Sequence, residues 1–147
     1  MFVEADGRVI GRAPANNVEN ANSNLDDPVV GRLLAMWLTD MKAVVDQLQQ
    51  LNEGPSGMFA GRLDLSRLGT VGHSFGGAQA LQFCHDDVRC RAAIDLDGIP
   101  FGRVVTDGLT KPAMFLLSDH REMKDPESPK VLAIIQRIYG CPSSIRK

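Results

Sequence analysis

Residues Gly72-His73-Ser74-Phe75-Gly76-Gly77 restrict the backbone more tightly than any other stretch of this chain. A serine with glycines two residues to either side fits the G-x-S-x-G pattern, in which a strand turns abruptly into a helix and holds a hydroxyl at the tip. The serine backbone in such a turn must occupy a left-handed region that most side chains avoid. Gly72 and Gly76 are expected where strand and helix approach too closely for a side chain, with His73 and Gly77 completing the elbow. The flanks supply the required context. Leu68-Gly69-Thr70-Val71 reads as a short buried strand, and Phe75 to His85 as a helix of small and apolar residues (Ala78, Ala80, Leu81, Phe83, Cys84). An ordinary Gly-rich turn is the competing reading.

The remaining segments extend this unit in both directions. Phe2-Val3-Glu4 and Arg8-Val9-Ile10 flank Asp6-Gly7, a two-residue hairpin signal. A polar stretch from Ala13 to Asn24, with five asparagines, reads as a surface loop. Asp26-Asp27-Pro28 is an acidic cap followed by proline in the first turn of a long helix, Pro28 to Leu51. Its stripe of Val30, Leu34, Trp37, Met41, Val44/Val45, Leu48 and Leu51 suits packing on a sheet, and Trp37 and the methionines read as core. Ala92 to Asp97 and Pro112 to Leu117 are further short strands, the latter apolar on both faces, and Lys130 to Tyr139 is a last helix stopped by Gly140 and Pro142. Strands alternating with helices predict a mostly parallel sheet covered by helices. The whole of 1–147 reads as one domain: hairpin and polar loop over 1–24, long helix over 25–52, elbow-containing βαβ core over 62–140.

Composition narrows the function classes. A net charge of −2 without a basic stripe argues against a nucleic-acid partner. Apolar runs are interrupted by charge well short of a membrane span, and Met1 to Gly7 lacks the basic and apolar regions of a signal peptide. No compartment is assigned. Cys84, Cys90 and Cys141 form an odd set without metal-ligand spacing, so buried thiols are expected; spacing leaves a Cys84–Cys90 bridge across the helix end open.

A serine nucleophile needs a base, a carboxylate to orient the base, and donors for the oxyanion. In doubly wound sheets these groups gather at the carboxyl ends of strands. Asp97 and Asp119 both stand at such ends, and residue type alone leaves either as the acid. The span from Arg62 to about Leu117 resembles the α/β-hydrolase family of plasma-type platelet-activating factor acetylhydrolases and their microbial relatives. The residues carrying the resemblance are Gly72 to Ala78, then Arg89 and Ala93-Ile94-Asp95-Leu96-Asp97-Gly98. The upstream Asp6-Gly7-Arg8-Val9-Ile10 is similar to the family's hairpin before its long helix. The resemblance implies a three-layer α/β-hydrolase-like fold and places the acid on the strand directly after the elbow helix. That position is Asp97, leaving Asp119 as the alternative.

The base is harder to find. Of the three histidines, His73 lies within the elbow, His85 at the far end of the helix, and His120 at a strand end. Ser74, Asp97 and His120 satisfy the chain order formally. The resembled family instead has its histidine after a further strand, beyond the helix that ends near Tyr139. The Phe75 backbone amide is expected to be one oxyanion donor; the second comes, in the family, from a loop after an earlier strand. The expectation is therefore an α/β-hydrolase domain truncated at both ends, with uncovered sheet edges that favour self-association. The implied substrate is a small ester or the acetyl group of a phospholipid, with no cofactor and no metal. An inactive fragment or pseudoenzyme acting as an interaction module is the alternative.

Overall fold

The computed structural model describes residues 2–3, 9–11, 28–118 and 133–134. Two short strands, β1 (Phe2–Val3) and β2 (Val9–Gly11), pair antiparallel, Phe2 opposite Gly11 and Val3 opposite Val9. Phe2 opposite Gly11 is the register that a two-residue turn at Asp6-Gly7 would set, and the pairing shifts by one residue between Phe2 and Val3. Asp6 and Gly7 lie outside the described residues.

The long helix α1 runs Pro28–Glu53 and ends at Gly54. Val30, Leu34 and Val45 are buried along one stripe, joined by half-buried Leu38 and Met41. Its main partner is the elbow helix, with the sheet behind that helix. The expectation that the methionines of this helix are core fails at Met36, which is exposed, as are Val44 and Leu51. Among the described residues only a narrow stripe of α1 meets a neighbour, and the apolar residues Met36, Val44 and Leu51 lie off it in solvent. Asn52 closes the loop that follows. Its side chain exchanges two hydrogen bonds with the Leu63 backbone, at 3.0 and 2.8 Å, and its carbonyl accepts from the Gly61 amide at 2.8 Å.

After a 3-10 turn at Leu65–Arg67, capped by the Asp64 side chain, the chain enters β3 (Leu68–His73). Helix α2 (Phe75–Asp86), strand β4 (Cys90–Leu96), a short helix α3 (Val104–Asp107) and strand β5 (Ala113–Leu116) follow. The three strands form one parallel sheet in the order β3-β4-β5. The α/β architecture expected from the sequence, a parallel sheet with flanking helices, is therefore present. Helix α3 was not anticipated; its Val104 is buried and its amide donates to the buried Gln82 side chain at 2.9 Å.

Alternation along the strands assigns two faces. Thr70, Gly72, Ala93, Asp95, Ala113 and Phe115 share the face on which the described helices gather. Leu81, Phe83, Cys84, Cys90, Ala93, Val104 and Val45 form the core there, with Ile134 packed against it. Fully burying a side chain such as Leu81 or Phe83 is worth roughly 1.5–3 kcal/mol, so this cluster ties α1, α2 and α3 to the sheet. On the opposite face Val71, Met114 and Leu116 are exposed.

Cys84 and Cys90 form a disulfide that joins the last turn of α2 to the first residue of β4, with Cα atoms 4.9 Å apart. This corrects the expectation of free thiols. The helix ends and the strand begins within six residues, which brings the two Cβ atoms to bridging distance. Two polar clamps hold the same corner. Lys111 donates to the carbonyls of Cys84 and Asp87, at 2.6 and 2.7 Å, satisfying the C-terminal end of α2. Arg89 pairs with Asp87 and with Asp46 of α1, each at 2.6 Å, and holds the Asp87 carboxyl below the usual range.

Candidate functional site

The site grows from the backbone of Ser74. Its φ is +54° and ψ −124°, so it occupies the positive-φ region expected of an elbow serine. The surrounding bonds hold it there. Its amide donates to the Leu96 carbonyl at 2.9 Å, and its carbonyl accepts from the Gly77 amide at 2.9 Å. The Ser74 residue itself is exposed.

Two glycines permit this turn, but not the expected pair. A Cβ at Gly72 would collide with the backbone carbonyl of Gly76 and lie 2.7 Å from the Gly77 nitrogen. A Cβ at Gly76 would meet nothing within 4 Å. The second close approach is instead at Gly77, where a Cβ would run into the Asp95 carboxyl, 2.6 Å from its Cγ. Gly76 points its Cα outward from the first turn of α2, whereas Gly77 faces the sheet. Helical phase decides which of the two adjacent glycines is needed.

Asp97 stands beside this elbow. His73 and Leu96 are register partners, so Ser74 and Asp97 are the next residues off the carboxyl ends of two adjacent parallel strands, which run about 5 Å apart. Asp97 also has a positive φ, +55°, and with Ser74 makes up the non-glycine residues in that region among those described. Its amide donates to the Leu116 carbonyl at 2.7 Å. Ser118, just past β5, donates from its backbone amide to one carboxylate oxygen at 3.0 Å and from its hydroxyl to the other at 2.5 Å. Both oxygens are thereby oriented. Ser118 was not recognised from sequence, where it reads only as the polar end of a strand.

Phe75, whose amide follows the serine, is anchored by its ring. The ring meets Trp37 of α1 edge-on at 5.1 Å and Phe101 at 5.9 Å. With Val30, Leu34, Ala78, Ile99 and Phe101 it forms a second apolar cluster beside the elbow. The N-terminus of α2 is therefore fixed from both the α1 side and the β4–α3 connection.

The described histidines are placed as follows. His73 is exposed at the end of β3, immediately before the serine. His85 is at the opposite end of α2, held by Asp86 at 2.7 Å and Asp107 at 3.5 Å, and so is not brought to Ser74. Asp119 and His120 lie outside the described residues.

Asp95 is a further residue that the sequence did not single out. It is 0% exposed on the helix-covered face of β4, and neither carboxylate oxygen has a hydrogen-bond partner among the described residues. Burial pushes its carboxyl up to about 6. Its sequence signal was an acid at an inward position of an otherwise apolar strand.

Comparison with known proteins fits this geometry. The sequence model of the family described as platelet-activating factor acetylhydrolase, isoform II, matches residues 39–137, which include the elbow, Asp97 and Ser118. The chain belongs to that family. A platelet-activating factor acetylhydrolase of Cavia porcellus is 39% identical over 62 residues, 41% of this chain and 14% of that protein. Among solved structures, a ferulic acid esterase from Streptomyces cinnamoneus superposes with a TM-score of 0.60 over 95% of this chain, at 24% identity. The match takes in 35% of that esterase, and at this identity it supports the fold. The chain thus spans a minor part of the proteins it resembles.

Proposed function

We propose that this chain carries the nucleophile and acid of a serine ester hydrolase acting on a short acyl ester, with the acetyl group of a phospholipid as the favoured substrate class. The observation carrying this reading is Ser74 at positive φ with Asp97 at the adjacent register position, its carboxylate held by Ser118. The Ser74 hydroxyl oxygen attacks the ester carbonyl carbon and gives its proton to a histidine. The negative charge moves to the carbonyl oxygen, facing the Phe75 amide. Collapse breaks the ester C–O bond, the alcohol leaves with the histidine's proton, and water later releases the acid by the reverse steps. Asp97 orients the histidine. His85 is committed elsewhere, and the resembled family takes its base from beyond a further strand rather than from the elbow position of His73. The proposed base is therefore a histidine presented to Asp97 from outside the described residues, His120 being the candidate within this chain. The name of the Cavia porcellus relative supports the acetyl ester.

We also infer self-association. Val71 is 62% and Leu116 49% exposed on one sheet face, and β3 and β5 are the edges of the described sheet.

A fluorophosphonate and an activated acetyl ester test the chemistry. Labelling is expected at Ser74 and lost in Ser74→Ala. Loss in His120→Ala assigns the base to that residue; labelling only in a version lengthened at both ends assigns it to added sequence. Labelling that survives Ser74→Ala, or is absent from both versions, overturns the proposal.

A further inference from the structure

The buried carboxyl of Asp95 takes no part in the chemistry above, yet it touches both halves of the site. A Cβ on Gly77, in the first turn of α2, would collide with it. A Cβ on Gly98, directly after the acid, would collide with it as well, lying 3.0 Å from Cγ and also striking the Ser74 carbonyl. Asp95 itself is locked in the central strand, between Gly72 of β3 and Phe115 of β5. Its side chain is therefore a spacer. On one side stands the helix that presents Ser74 and the Phe75 amide; on the other, the turn that presents Asp97.

Resting on the reading of Ser74 and Asp97 given above, we propose that Asp95 is a positioning residue: its neutral carboxyl sets the spacing between Gly77 and Gly98, and its ionisation loosens that join and displaces the elbow. A neutral carboxyl packs between the two glycines without needing strong partners. A carboxylate there has only the poorly aligned Gly98 amide, and a buried, under-partnered charge must draw in water or donors. Acquiring them means opening the contacts with Gly77 or Gly98, because the β4 backbone is held on both sides.

The charged form is opposed chiefly by burial, which carries the group to about 6. The Gly98 amide, without reaching hydrogen-bond geometry, acts the other way. The Asp97 charge adds to the penalty, and His73 of β3 relieves part of it. The facing residues of α2 and β5, Gly77 and Phe115, bring no titratable group. The transition thus falls where a serine hydrolase's histidine is also gaining competence as a base, so the loosening would narrow the pH range of activity from above.

Trp37 is the reporter. It is the single tryptophan, and its ring meets Phe75, the residue after Ser74, at 5.1 Å. Its fluorescence is expected to step with a midpoint near pH 6 in the wild type. The step should vanish in Asp95→Asn, which keeps the neutral shape at every pH. A step that persists in Asp95→Asn belongs to a histidine and overturns the proposal, as does the absence of a step in the wild type. Carboxyl-carbon NMR of Asp95 needs no folded variant; a midpoint in the ordinary range, about 4, overturns it too. Fluorophosphonate labelling reads the consequence. The rate of Asp95→Asn relative to wild type should be near one at about pH 5 and rise on the order of tenfold by about pH 8, since sub-ångström displacement of a nucleophile costs that much. A constant ratio means a purely structural role and refutes the pH dependence. If Ser74 resists the reagent both in this chain and in the lengthened version, the function reading fails by itself, while the Trp37 step still decides the role of Asp95.

Discussion

Replacing Gly77 by alanine tests the joint between elbow and sheet, because the outcome should change sign with the residue beneath it. The new Cβ would sit 2.6 Å from Asp95 Cγ and closer still to one carboxylate oxygen, with the Gly72 carbonyl at 3.2 Å. Asp95 is 0% exposed and cannot swing into solvent. Overpacking of this kind costs about 1–3 kcal/mol, against up to about 1 kcal/mol gained by exchanging glycine for alanine in a helix. A net loss of about 1–2 kcal/mol follows. In an Asp95→Ala background the colliding atoms are gone, and Gly77→Ala should be neutral or stabilising. The coupling in the double-mutant cycle is then about 2 kcal/mol, within the range for residues in contact. Urea unfolding followed by Trp37 fluorescence measures it. With a slope of about 2 kcal/mol per molar, the midpoint should fall by about 0.5–1 M in the wild-type background only. Equal loss in both backgrounds would show that the collision is not with the carboxyl. Gly72→Ala is the control: its Cβ meets backbone at Gly76 and Gly77, so Asp95→Ala should not rescue it.

Other outcomes follow from the same contacts. Ser118→Ala removes the hydroxyl bond to Asp97 and should slow Ser74 labelling by about tenfold, with little change in urea midpoint because Ser118 is exposed. For Asp95, a folded value near 6 against 3.8 means that folding takes up a proton between these limits. Stability should therefore fall by about 2 kcal/mol as pH rises from roughly 4 to 6, relative to Asp95→Asn; a pH-independent difference would contradict the buried acid. Reducing the Cys84–Cys90 bridge should lower stability by about 2 kcal/mol, measured by urea unfolding with and without reductant. Light scattering should find oligomers; a monomer at high concentration would count against association through the exposed sheet face.

Local pattern carried much of this structure. Helix α1, strand β3 and the elbow helix begin and end within about two residues of where capping, glycine placement and apolar period put them. These signals are short-range: a positive-φ serine between small residues is dictated by neighbours in sequence. Asp97 needed more than pattern, since Asp119 was an equal candidate until the family resemblance favoured the earlier strand. The unexpected helix α3 has a reason as well. Four residues are too few for an apolar period, and Val104 is held by Gln82 and the core rather than by its own sequence.

The amino-acid sequence determined the order strand, elbow, helix, strand, the serine at its tip and the family to which the chain belongs. Tertiary structure decided which partner each side chain met. Gly77 rather than Gly76 faces the sheet because helical phase is fixed by packing on β3 and β4. Asp95 is buried and Asp97 is at the open strand end, although the two are separated only by Leu96. Ser118 reaches Asp97 across 21 residues of chain because β5 lies parallel to β4 in a set register. A one-residue slip of β5 would turn Phe115 outward and part Ser118 from the acid. That register comes from the whole sheet and its helices, and no local stretch encodes it.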